Sequence, residues 1–175
     1  MTNTTNDQQK NIDPKTMKPD RRSPDELLYS DLYKNAMMGA DACAKMVEKA
    51  GNTQKESGMT ACAELRQEIA SMMETYASFA ANASKALADM GIPAEQLTTL
   101  EKLPAEMGIS MQTMFDKSAS KCAELMINGV TMGIIDMKKA QRVCSEDGCS
   151  PAAYRMAGDM IAFCERHVER LKDFL

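Results

Sequence analysis

Apolar residues recur along this chain at intervals of three and four, the spacing that lines one face of an α-helix. Leu28, Leu32, Gly39, Cys43, Met46 and Ala50 make one such stripe. Cys62, Leu65, Ile69, Met72, Tyr76, Phe79, Ala83 and Met90 make a second. Met107, Met111, Met114, Leu125, Met132 and Ile135 make a third, and Tyr154, Ala157, Ile161, Cys164, Val168, Leu171 and Leu175 a fourth. Four helices are predicted, each with one face turned to a shared core.

Cap chemistry marks where they begin and end. "SPDE" at 23–26 offers Ser23 as a cap, Pro24 at the first helical position and Glu26 to complete a capping box. The first helix stops at Gly51, and a second capping box, Thr53 with Glu56, opens the next. Gly91 followed by Pro93 ends that helix. The third is expected from near Pro104 to about residue 145. A helix that long is expected to kink near Gly129 and Gly133. It ends in the turn "SEDGCS", where Ser150 and Pro151 repeat the cap-plus-proline start.

The linker between the first two helices is only two or three residues, which makes them an antiparallel hairpin. The short turn before Ser150 pairs the third helix with the fourth. The expected fold is all-α, an antiparallel four-helix bundle built from two helical hairpins over residues 23–175. The connector 92–104 spans at most about 45 Å when extended, against about 50 Å for the second helix. An up-down-up-down order is therefore expected. Residues 1–22 are polar, contain two prolines and show no periodicity, so they read as a disordered tail.

Composition supports helices. The chain holds 17 methionines, no tryptophan and only 5% aromatic residues, which leaves little material for strands. No glycine-rich phosphate loop, βαβ alternation or solenoid repeat is present. Net charge is −4; the first 23 positions carry five Lys/Arg against three Asp, which leaves the bundle, with sixteen basic and twenty-two acidic residues, more acidic than the whole chain. That excludes the clustered basic face that nucleic acid requires. The N-terminal stretch has no apolar run of a signal peptide, and no segment reaches membrane-span length. A soluble, cytoplasmic protein is expected, whose six cysteines are free thiols or ligands rather than disulfides.

"LLYSDLYKNAMMGADACAKMVEKA" and "ELMINGVTMGIIDMKKA" resemble uncharacterised ferritin-like domain proteins of anaerobic Gram-positive bacteria. Those proteins pair a "YKNxxMG" first helix with an "MGIID" third helix and end in "LKxFL", here "LKDFL" at 171–175. The resemblance covers about 25–175. It implies a ferritin-like bundle, distantly related to spore-coat-type and stress-type proteins. The di-metal site of such bundles takes a Glu from each of two helices and a Glu-x-x-His from each of the other two. This chain has a single histidine, His167, and Glu165 precedes it by two positions. That ligand set cannot be assembled, and no cofactor is expected.

Two weaker metal sites are conceivable. Glu68, Glu124 and His167 fall at similar heights in the up-down bundle, each one residue beside a core position. They read either as a carboxylate–imidazole site or as boundary residues with solvated heads. Cys43, Cys62, Cys122 and Cys164 lie one per helix. Cys43, Cys62 and Cys164 on their apolar stripes suit a soft ion, or serve as small core hydrophobes. Cys144 and Cys149 are too widely spaced for a Cys-x-x-Cys site but close enough for a loop disulfide under oxidation. No serine or cysteine is brought to His167 as an activated nucleophile. The expected function is non-enzymatic: an interaction or assembly protein working through helix faces, as a homo-oligomer or with a protein partner. The alternative is a metal-handling protein.

Overall fold

The computed structural model describes residues 22–50, 59–92 and 118–175, and all of its described elements are helical. Four long helices, α1 (Pro24–Ala50), α2 (Met59–Asp89), α3 (Ala119–Asp147) and α4 (Pro151–Leu171), precede a 3₁₀ turn, Lys172–Phe174. The polar tail up to residue 21, the capping box at Thr53 and Glu56, and the stretch 104–117 lie outside the described residues.

The caps form where the sequence predicts them. The Ser23 hydroxyl accepts the Glu26 N–H at 3.1 Å, and the Ser150 hydroxyl accepts the Ala153 N–H at 3.2 Å. Gly91 turns left-handed at φ 79°, letting Ile92 N–H reach the Leu87 carbonyl at 2.9 Å and close α2. Gly148, at φ 84° and ψ 48°, does the same for α3, with the Cys149 N–H on the Cys144 carbonyl.

The third helix differs from expectation. Ser118 is extended, at φ −60° and ψ 155°, and its hydroxyl caps the Lys121 N–H at 3.2 Å. A helix therefore starts at Ala119, and α3 runs unbroken through Gly129 and Gly133. The stripe Met107, Met111, Met114, Leu125, Met132, Ile135 holds its phase only if the helix passes through Ser118. The core face of α3 is instead Cys122, Met126, Val130, Met137 and Cys144, while Met132 and Ile135 are exposed.

Contacts between helices fix their directions. Pro24 meets Cys144, and Asn35 meets Gly133, so α1 and α3 run oppositely. Gln141 meets Tyr154 and Lys138 meets Glu165, so α3 and α4 run oppositely. Glu68 meets His167 and Tyr76 meets Cys164, which opposes α2 to α4. It follows that α2 and α3 point the same way, and the order is up-down-down-up. The up-down-up-down expectation fails because the third helix begins later than Pro104. Residues 93–117, not 92–104, join α2 to α3, and a chain of that length can extend about 90 Å.

Side-chain size sets the width of each seam. α1 packs closely on α2 because Gly39 leaves room for the Tyr76 ring, whose carbons lie 2.7–2.8 Å from where a Cβ would stand. α2 and α4 stand further apart and meet through long side chains. Phe163 lies edge-on to Tyr76, with centroids 5.1 Å apart, and against Phe79 at 5.7 Å. The core is one cluster of apolar side chains, including Leu28, Leu32, Leu65, Ile69, Met72, Met160 and Leu171. No described helix is long and apolar enough to cross a membrane.

Candidate functional sites

The α2–α4 seam holds the buried polar residues of greatest chemical interest. Glu68 and His167 are each only 8% exposed. The His167 Nδ1 and Glu68 Oε1 are 2.5 Å apart, and Glu68 Oε2 takes the Arg170 guanidinium at 2.8 Å. His167 also lies edge-on to Phe163, with ring centroids 4.5 Å apart. Burial pushes the imidazole below its ordinary value. The hydrogen bond and charge of Glu68 oppose that shift, and Arg170 and Arg166 reinforce it. A neutral ring donates Nδ1–H to the carboxylate, and both Glu68 oxygens have partners.

The sequence places Glu68 and His167 on the flank of the seam, with solvated heads as one reading. The structure buries both. Phe163 and Tyr76 hold α2 and α4 apart, which opens inward space for the residues next to the nominal core positions. Glu124 does not join them: its half-exposed carboxylate pairs with Lys121 at 2.7 Å on α3. Arg170, which sequence reasoning passed over, is the third member of the cluster.

The four bundle cysteines, Cys43, Cys62, Cys122 and Cys164, are all buried and none is in a disulfide. Cys164 Sγ is 3.3 Å from the Tyr76 hydroxyl, and Cys43 acts electrostatically on that hydroxyl. Burial raises the Cys43 thiol to about 12, with Cys164 adding to it, and raises Cys164 to about 11. Such thiols stay protonated and behave as small hydrophobes. Cys43, Cys62 and Cys164 do not form a three-ligand group. Among the described residues one such group exists, Asp25 with Cys144 and Cys149, whose donor atoms lie within 4.8 Å of one another. Cys144 and Cys149 are joined by a disulfide, with Cα atoms 5.2 Å apart. The expectation of free thiols is corrected there, because the left-handed turn at Gly148 folds Cys149 back over the last turn of α3.

The α1–α3 seam is open. A cavity of about 340 Å³ lies along it, floored by Tyr76 and walled by Met38, Met126, Met132 and Met137. Asp31 and Asp136 stand at its end and also border a second cavity of about 280 Å³ towards the start of α1. Burial raises the Asp31 carboxyl above its ordinary value. Lys34 and Arg22 work against the rise and Asp136 adds to it. Gly133 lies on this seam too, where the Asn35 amide donates to its carbonyl at 3.2 Å. The 3–4 stripe Leu125, Gly129, Met132, Asp136 of α3 borders this opening, and of the four only Leu125 also packs against the core.

Comparison with protein-family models, curated proteins and solved structures returned no match to this chain.

Proposed function

We propose that this chain is a ferritin-like helical bundle that works by association rather than catalysis, with a second copy of itself seated across the α1–α3 face. The open apolar seam carries this reading. Met132, 46% exposed, lines it together with Met38, Met126 and Met137. Methionine side chains adapt to an incoming surface, which suits a docking face. The up-down-down-up order supports the ferritin-like assignment, because such folds carry one long crossover. A single histidine in the chain supports association over di-iron chemistry.

The test is mass in solution by light scattering, at micromolar to roughly 100 μM protein. A species of twice 19.2 kDa is expected. Met132→Glu, which puts a charge on an exposed position, is expected to return it to the monomer with unchanged helicity. A wild-type chain that stays monomeric throughout that range would overturn the proposal. So would a dimer indifferent to Met132→Glu. The alternative, metal handling by Cys43, Cys62 and Cys164, draws support from the electrostatic coupling of the Cys43 and Cys164 thiols. Their protonated state weighs against it.

A further inference from the structure

The geometry points to a redox-gated metal site at the α3–α4 turn, where Asp25, Cys144 and Cys149 hold a thiophilic divalent cation when the disulfide is reduced. This inference is independent of the α1–α3 docking face. Spacing alone argues against such a site, since Cys144 and Cys149 are too far apart for a metal-binding Cys-x-x-Cys. The fold supplies what spacing lacks. Asp25 comes from the first turn of α1, and its donor atom lies within 4.8 Å of both sulfurs. Tetrahedral zinc, with bonds of about 2.3 Å to sulfur and about 2.0–2.2 Å to oxygen, fits a cluster of that size after small side-chain rotations.

Three further features favour a cation. Asp25 Oδ1 accepts the Ser150 N–H at 2.7 Å, which orients the carboxylate and leaves it a second oxygen. The Pro24 carbonyl oxygen lies 3.6 Å from Cys144 Sγ and offers a fourth donor. The cavity of about 280 Å³ that reaches Pro24 and Cys144 supplies a route in, although Cys144 itself is buried. The metal would tie α1 to the turn, whereas the disulfide closes only the turn on itself.

The two states exclude each other. In the metal state both sulfurs are thiolates bonded to the cation. A low-molecular-weight disulfide oxidises them: its S–S bond breaks, the Cys144–Cys149 bond forms, and its two halves leave as thiols. The leaving halves take up two protons from solvent, and the cation departs with its charge. Reduction by two equivalents of a small thiol reverses the step, and rebinding of the metal displaces the two thiol protons.

Zn²⁺ is the probe. The full chain is reduced, freed of reductant without air, and titrated against a chromogenic zinc chelator, with native mass recorded on the same sample. One zinc per chain is expected, with Cys149→Ser abolishing it and Asp25→Asn weakening it at least tenfold. Oxidised glutathione is expected to release the zinc and leave a chain two hydrogens lighter than the reduced apo form. Circular dichroism on each variant separates loss of ligand from loss of fold. The proposal falls if the reduced chain takes no zinc, or if Asp25→Asn binds it as tightly as wild type. It falls equally if Cys144→Ser/Cys149→Ser still holds one zinc, because the bundle thiols would then be the ligands.

Discussion

The two seams of this bundle solve opposite problems. Between α2 and α4 the chain places large side chains, and the space they create is filled by Glu68 and His167, with the exposed Arg170 pairing the second Glu68 oxygen from outside. Between α1 and α3 it places glycines, alanine and methionines, and the result is an open apolar trough. One seam spends polarity where water is excluded and the other leaves apolar surface where water is admitted. Buried polar groups in a low-dielectric core are stable only when fully paired. An apolar trough gains free energy only when something covers it. The closed seam is therefore read as structure and the open one as a surface for association.

The sharpest way to break this contrast is to empty the closed seam. Phe163, buried and in ring contact with Tyr76, Phe79 and His167, spaces α2 from α4. Phe163→Ala is expected to cost about 3–5 kcal/mol in urea unfolding. A cost below about 1 kcal/mol would mean that the seam collapses freely and that its width is not set by this ring.

A smaller effect is expected at the α1–α2 contact. Gly39→Ala adds a Cβ 2.7 Å from a buried tyrosine ring that has no flexible end to yield. Overpacking of about 1–3 kcal/mol outweighs the gain of about 1 kcal/mol in helix propensity. Gly158→Ala is the control, because its Cβ would meet only the end of the Gln141 side chain at 3.3 Å. Thermal unfolding is expected to fall for Gly39→Ala and to hold or rise for Gly158→Ala; the reverse order would remove the packing argument.

The smallest expected effect is a pH dependence. His167 sits in the closed seam with its folded pKa below the unfolded value. Its neutral burial therefore stabilises the fold above the unfolded imidazole pKa, about 6.5. That contribution fades as pH falls through 6.5 towards the lower folded value. Denaturation midpoints measured from pH 7.5 down to 5 are expected to drop more steeply for wild type than for His167→Gln. Parallel curves would place the imidazole in contact with water and outside the seam.

Periodicity and cap chemistry alone determined that the chain is helical, where α1 and α4 begin, and which faces of α1 and α2 are buried. Both signals are local, since a 3–4 stripe and a Ser-Pro start need no knowledge of distant residues. Most of α4 was equally legible, although Tyr154 and Leu175 of its stripe are exposed and His167 is buried. The start and phase of α3 were misread because one serine, Ser118, interrupts a spacing that otherwise continues across it. Only the tertiary structure decided the rest. The crossover between α2 and α3 follows from which helix ends meet, information carried by pairs such as Asn35–Gly133 and Glu68–His167 that lie about a hundred residues apart. The meeting of Asp25 with Cys144 and Cys149 is of the same kind. A local pattern records which side of a helix avoids water; it does not record which other helix will be there.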